Sequence, residues 1–156
     1  MREIHTSIDI DAPAETVWAT LTDFPSYPEW HPRMVVTGEA REGARLVVAP
    51  GPDAEGMPTF EPRVLSADPN RELVWKGKLY LPGLFDGTHR FAIEALADDR
   101  SRLVQSESFA GLLVGLIMRR YGADTEAGFH ATNEALRDEA ERRAAARDTA
   151  PDPAAA

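Results

Sequence analysis

Residues 3–18 read EIHTSIDIDAPAETVW, and this stretch decides the fold because the spacing of its apolar residues changes partway along. Over residues 3–10 the apolar positions alternate with polar ones, which predicts a strand with one buried face. The strand ends at Asp11-Ala12-Pro13. A helix is predicted to begin there, because proline is favoured in the first turn of a helix. Apolar residues recur at helical spacing over 14–22, and a helix of this length must pack against another element to be stable.

The segment after this short helix is rich in proline. Residues 24–32 read FPSYPEWHP, and their three prolines prevent a long helix but allow a short helical turn near residues 28–31. Six further strands are predicted, at residues 33–40, 45–49, 59–67, 72–80, 88–97 and 102–109. Their connections are short apart from the loops at 50–58 and 82–87, and consecutive strands with short turns predict an antiparallel meander.

A long helix is the last predicted element. Residues 112–143 carry one apolar stripe, and Gly122 and Gly128 weaken its middle. Residues 144–156 have almost nothing to bury, so we expect a disordered tail after a single domain of residues 1–143. Because a sheet with one apolar face needs a cover, we expect this helix to lie across the sheet, with space for a ligand between them.

The composition excludes several classes of function. The 156 residues carry a formal net charge of −9 and no cysteine. Nucleic acids and anionic membrane surfaces are disfavoured by this charge, and disulfides and thiolate metal sites are impossible. The four histidines show no metal-binding spacing, and no phosphate loop or nucleotide fingerprint occurs. We therefore expect neither a metal ion nor a cofactor.

The chain shows no sign of a membrane segment. The N-terminal residues alternate between polar and apolar, unlike a signal peptide, and the longest apolar stretch, 111–118, is too short to span a bilayer. We expect a soluble, cytoplasmic protein without membrane insertion. Its oligomeric state, monomer or homodimer, is left open.

Three motifs carry a resemblance to a known family. They are residues 8–18 followed by Tyr27-x-x-Trp30-x-Pro32, residues 81–91 with the run DGTHRF, and residues 104–112. With the order of elements, they resemble the SRPBCC superfamily of START-like proteins, in particular its polyketide cyclase/dehydrase group. The resemblance implies an α+β helix-grip fold, a curved antiparallel sheet of about seven strands wrapped around a long C-terminal helix, with two short helices after the first strand. This fold hosts carriers, cyclases, hydrolases and chaperone activators, so it does not specify a reaction.

His89 and Glu107 are the candidate catalytic residues. His89 shares a strand face with Phe91, and Glu107 shares one with Phe109, so both polar side chains are expected to point inward. A turn joins the two strands, which would bring the pair within reach of each other. A buried histidine and glutamate need partners, and such a pair could act as general acid and base or could be a structural hydrogen bond.

Aromatic and polar side chains on the predicted inner faces are the candidate ligand-binding residues. In a fold with a cavity, core and ligand wall are the same surface, so aromatic strand positions are compatible with either role. The resemblance places Trp30 at the cavity mouth, as a gate or as a plug. The full candidate set is Trp30, Phe60, Trp75, Tyr80, Phe91, Gln105, Phe109, Ile117, Tyr121, Phe129 and Asn133.

Three functions are compatible with these features. The first is binding of a small hydrophobic molecule, such as a lipid, polyketide or aromatic metabolite, in the cavity. The second is an enzyme of the polyketide cyclase, aromatase or dehydratase kind without a cofactor, in which His89 and Glu107 move protons. The third is a protein-binding role, which predicts an exposed apolar patch rather than a deep pocket. The first two differ in whether His89 and Glu107 pair and face an open cavity.

Overall fold

A five-stranded antiparallel sheet and a long C-terminal helix form the two main layers. The computed structural model describes residues 2–79 and 81–149. The strands are β1 (Arg2–Ile10), β2 (Met34–Thr37), β3 (Val47–Pro50), β4 (Arg63–Asp68), β5 (Glu72–Leu79), β6 (Phe85–Ala97) and β7 (Arg100–Ala110). The helices are α1 (Ala14–Thr22), α2 (Tyr27–Trp30) and α3 (Val114–Thr149), with single 3₁₀ turns at Phe24–Ser26 and Pro52–Ala54.

Strands β4 to β7 follow the predicted meander, whereas β1 pairs with β7 instead of β2. The large sheet has the order β1-β7-β6-β5-β4, and β2 pairs with β3 in a second, two-stranded sheet. Two isolated bridges, Arg45–Arg63 and Val48–Phe60, connect the smaller sheet to the region of β4. Seven strands, a long C-terminal helix and two short helices after β1 confirm the prediction of an α+β helix-grip fold.

The first strand and helix form where the sequence pattern predicts them. β1 pairs along its whole length with β7, and its buried residues alternate with exposed ones. Pro13 precedes α1, whose buried side chains, Val17 and Leu21 among them, pack into the main core. The break between a period of two and a period of 3.6 residues therefore marks a real corner of the fold.

Several strand ends differ from the predicted ones. β6 begins at Phe85 rather than residue 88, because residues 85–87 pair with the end of β5. Near β3 and β4, which are shorter than predicted, the pairing is reduced to isolated bridges. Pro58 and Pro62 interrupt the chain there and lack the N–H groups that a continuous ladder needs. Periodicity alone places strand ends poorly, since pairing with a neighbour decides them.

The prediction of a disordered tail was wrong for residues 144–149, because α3 continues to Thr149. Alanine is the strongest helix former, and Ala144 packs against the main core. Arg147 also lies 3.7 Å from Glu15 of α1, a contact that a disordered tail would lack. Residues 150–156 lie outside the described residues.

The core is divided into two clusters. The larger is formed by the sheet, α1 and the second half of α3, around Trp75, Phe91 and Leu136. The smaller gathers Phe85 and Phe109 against the first half of α3. Within the described residues, no helix has the length and apolar character needed to cross a membrane.

Candidate functional site

A cavity of about 540 Å³ lies between the sheet and the first half of α3. Its walls come from β5, β6 and β7, from α3, and from the loop of residues 51–58. Most of the lining side chains are apolar or aromatic. The cavity has the size of a small-molecule site and occupies the space that separates the sheet from its covering helix.

Most of the candidate residues line this cavity. The structure places there both His89 and Glu107, and seven of the ligand-binding candidates: Phe60, Trp75, Gln105, Phe109, Ile117, Tyr121 and Phe129. Three candidates lie elsewhere, namely Trp30, Phe91 and Asn133. Tyr80 lies outside the described residues.

Trp30 is packed into the structure beside the core rather than at the cavity wall. Its indole Nε1 donates to Ser26 Oγ at 2.9 Å, and its ring contacts Tyr27 edge-on at a centroid distance of 4.9 Å. The expectation that Trp30 lines the cavity was therefore wrong, whereas its structural role as a plug at the end of the sheet stays a prediction. Trp30 lies at the end of α2, and its ring packs on Tyr27 and His31.

Phe91 and Asn133 lie one layer behind the cavity wall. Phe91 is buried in the main core and stacks on the back of the His89 ring, with centroids 4.3 Å apart. Asn133 donates to Thr6 Oγ1 at 2.9 Å and accepts from Gln105 Nε2 at 2.7 Å. Neither contacts the cavity directly, and both instead hold residues that do.

His89 and Glu107 lie directly opposite each other on β6 and β7. His89 Nδ1 is 3.4 Å from Glu107 Oε2, a contact longer than an ordinary hydrogen bond. The His89 ring is clamped between Phe91 and Phe129, whose centroid is 5.0 Å away. The ring is thus fixed with one nitrogen toward Glu107.

A chain of hydrogen bonds determines which nitrogen of His89 carries a proton. Gln105 Nε2 must donate, because it faces Asn133 Oδ1 at 2.7 Å and the Phe129 carbonyl oxygen at 3.4 Å. Gln105 Oε1 is then an acceptor, and His89 Nε2, 2.8 Å away, must donate to it. In the neutral imidazole the other nitrogen, Nδ1, is therefore an acceptor that faces Glu107.

Burial favours the uncharged forms of both partners. It lowers the pKa of His89 to about 4, an effect that the hydrogen bond to Gln105 only partly offsets. It raises the pKa of Glu107 to about 8. Glu107 lines the cavity, and 19% of its side-chain surface remains exposed. Burial therefore favours the protonated form of Glu107 at neutral pH. The 3.4 Å separation from His89 Nδ1 would have to shorten for the Glu107 O–H to be donated there.

Gly87 makes room for the Glu107 carboxyl. A Cβ atom at position 87 would lie 2.7 Å from Glu107 Oε1, closer than two such atoms can approach. A glycine inside a strand weakens it and often marks a close approach, so Gly87 was itself a sequence signal, although it was not among the predicted site residues. Gly87 and Glu107 both line the cavity.

His31 is a second buried histidine, and its role is structural. Its Nδ1 accepts the backbone N–H groups of Arg33 and Met34, each at 3.1 Å. Burial lowers its pKa to about 3, so the ring stays neutral. The sequence indicates no partner for His31 because the partners are backbone groups of the turn that follows it.

Comparison with known proteins assigns the family. A family model described as polyketide cyclase/dehydrase and lipid transport matches residues 1–141. The chain belongs to this family. No curated protein matches the sequence.

Solved structures share the fold of this family member at low identity. The ZhuI aromatase/cyclase from a Streptomyces species aligns with a TM-score of 0.71 and 24% identity, over 91% of this chain and 94% of that one. A Thalictrum flavum norcoclaurine synthase point mutant, bound to a transition-state analogue, gives 0.69 and 14%, over 91% and 95%. A START superfamily protein from Mycobacterium smegmatis gives 0.63 and 21%, over 92% and 97%. These likenesses show the fold alone.

Proposed function

We propose that this family member binds a small, largely apolar molecule in the cavity between the sheet and α3. The single observation that carries the proposal is the cavity itself, about 540 Å³ with mostly apolar walls and a few polar groups. Burial of apolar ligand surface supplies affinity, and a small number of fixed polar groups sets orientation. The predicted cytoplasmic location and the monomeric or homodimeric state remain predictions.

The polar groups favour a ligand that carries an oxygen function. When the Glu107 O–H is donated to His89, the carboxyl's other oxygen, Oε1, is left to accept a hydrogen bond. Oε1 lies next to Gly87 on the cavity wall, where a hydroxyl of the ligand could reach it. The carbon skeleton would then lie against Phe109, Phe129 and the first half of α3.

A matched pair of tryptophan variants tests the binding function. Ile117 lines the cavity, whereas Leu116 is 69% exposed and lies outside the lining. We expect Ile117→Trp to fill part of the cavity and to weaken binding of the neutral dye Nile red by about tenfold or more, and Leu116→Trp to bind like the wild type. Equal binding by both variants would place the dye outside the cavity and contradict the proposal.

Acid–base catalysis is a second candidate function, favoured by the contact of Glu107 with His89 and by the hydrogen bond from His89 to Gln105. Glu107 Oε1 could take a proton from a ligand carbon next to a carbonyl, while Oε2 passes its own proton to His89 Nδ1. The ligand would become an enolate and the imidazole an imidazolium, so charge is conserved. This two-step relay needs both residues on the cavity wall, as they are.

Hydrogen exchange at carbon tests this second candidate. A cyclic β-keto ester incubated in D₂O with the wild type should lose its α-proton signal in the NMR spectrum faster than in buffer. Glu107→Gln keeps the hydrogen-bonding shape but cannot transfer the proton, so it should abolish the acceleration while Nile red binding persists. Equal exchange with both proteins would remove the catalytic role and leave the binding function intact.

A further inference from the structure

Arg33 is a cation on the cavity wall that neither proposed function uses. It lies between α2 and β2, and its side chain lines the cavity with only 19% of its surface exposed. Placing a guanidinium among largely apolar side chains is unfavourable unless its N–H groups find acceptors. Its contacts therefore decide whether it has a structural partner or a free binding face.

The contacts of Arg33 leave most of its hydrogen-bonding capacity unused. Nη1 donates to the backbone carbonyl oxygen of Asp53 at 2.6 Å. Nη2 lies 4.0 Å from Asp124 Oδ2, too far for a hydrogen bond, and the Asp124 side chain is 73% exposed. Within residues 2–79 and 81–149, no other side-chain hydrogen bond of Arg33 is present. A guanidinium offers five N–H donors.

Gly128 of α3 provides the surface against which the guanidinium lies. A Cβ atom at position 128 would be 2.8 Å from Arg33 Nε and 3.0 Å from Nη2, so only glycine lets the group approach the helix here. Phe129, the next residue, stacks on His89. Arg33, Phe129 and the His89–Glu107 pair all line the same cavity.

Among the described residues, no ionised carboxylate of the cavity lining competes for Arg33. The charged or titratable lining residues are Arg33, Lys78, His89, Glu107 and Tyr121. His89 and Glu107 are both neutral at neutral pH. The wall therefore carries positive charge inside a protein of net charge −9. A cavity of this kind attracts an anionic group more strongly than the protein as a whole would suggest.

We propose that Arg33, seated on Gly128, binds an anionic oxygen group of the ligand, of which a carboxylate is the simplest case. This inference rests on the proposed binding function and specifies its ligand class as an apolar molecule with one acidic oxygen group. The two N–H edges of a guanidinium match a carboxylate, and such contacts are stronger than neutral hydrogen bonds.

Two pairs of ligands, each an acid with a neutral counterpart, test the inference. The pairs are decanoate with 1-decanol and 2-naphthoate with 2-acetylnaphthalene, measured by isothermal titration calorimetry at neutral pH. We expect the wild type to bind the acid of at least one pair about tenfold more tightly than its neutral counterpart. Arg33→Gln should bring the two members of that pair to equal affinity while leaving the affinity for the neutral member unchanged.

Two further variants separate the charge from its position. Lys78→Gln removes the other lining cation and should retain the preference for the acid. Gly128→Ala keeps the charge but displaces the guanidinium, so it should reduce the preference even though alanine favours the helix more than glycine does. Urea unfolding of each variant shows whether the fold is retained.

The outcomes distinguish the proposed role of Arg33 from the proposed binding function of the cavity. Equal affinity for acid and neutral member in the wild type would overturn the role of Arg33 and leave the binding function standing. A preference that disappears in Lys78→Gln but persists in Arg33→Gln would also overturn it. Failure of all four ligands to bind, together with loss of Nile red binding, would remove both proposals.

Discussion

Replacing Glu107 with glutamine gives the sharpest test of the neutral His89–Glu107 pair. Glutamine has the shape of a protonated glutamate, and its amide, like the protonated acid, has a hydrogen that faces His89 Nδ1. In the wild type, burial raises the pKa of this carboxyl from 4.5 to about 8. The folded chain therefore keeps a proton between these pH values that the unfolded chain has released, and stability is lost as the pH rises.

The size of the effect follows from this shift. Between pH 6 and pH 8 the wild type should lose about 2 kcal/mol of its free energy of unfolding through this one group. Glu107→Gln lacks the titrating group, so its stability relative to the wild type should rise by that amount over the same range. Contributions of the two buried histidines are the same in both proteins and cancel in the comparison.

Urea unfolding followed by circular dichroism at pH 6, 7 and 8 measures the difference directly. Glu94→Gln, on the exposed face of β6, is the matched control and should follow the wild-type pH dependence. In addition, the carboxyl ¹³C resonance of Glu107 should titrate near the raised pKa. Parallel stability curves for wild type and Glu107→Gln, or a variant that loses stability relative to the wild type as the pH rises, would refute the raised pKa of Glu107. A ¹³C shift typical of a carboxylate at pH 6 would indicate an ion pair, in which the same proton sits on His89.

Three further predictions follow from the same network. Gly87→Ala should displace the Glu107 carboxyl and change the free energy of unfolding by only about 1 kcal/mol, because the added methyl group clashes with the flexible end of the Glu107 side chain. An unchanged titration of the Glu107 carboxyl in the ¹³C spectrum would contradict this. Asn133→Leu removes two buried hydrogen bonds and should lower the free energy of unfolding by about 2 to 3 kcal/mol in urea titrations, whereas a loss below 1 kcal/mol would show that the network is dispensable. Burial lowers the pKa of His31 to about 3 and that of His89 to about 4, so as the pH falls the unfolded chain takes up protons at these rings before the folded chain does. The free energy of unfolding of Glu107→Gln should therefore decrease by about 3 kcal/mol as the pH falls from 6.5 to 5. A flat stability profile over that range would mean that the two rings titrate in the folded chain as they do in the unfolded one.

Alternation along two strands was enough to predict which side chains face inward at the site. His89 and Glu107 each share a face with apolar residues, and a short turn between β6 and β7 left little freedom in their register. The fold class was predictable for the same reason, because a meander and one long amphipathic helix have few ways to bury their apolar faces.

The residues behind and above the cavity were not predictable from local patterns. Asn133 meets Thr6 across 127 positions of the chain, and no spacing rule relates the two. Arg33 and the loop of residues 51–58 reach the cavity through the folding of proline-rich segments, whose path depends on tertiary contacts. Trp30 was misplaced for this reason as well.

The helix α3 is buried unevenly along its length. Between Met118 and Gly128 it has no buried residue, while from Gly128 to Ala140 buried positions recur at every turn. The first of these stretches lies over the cavity, so few side-chain contacts hold it down beyond its own backbone hydrogen bonds. Such a segment can open locally at a free energy well below that of global unfolding. Its amides should exchange with deuterium sooner than those near Leu136, and a ligand could enter beneath it while the rest of the protein stays folded.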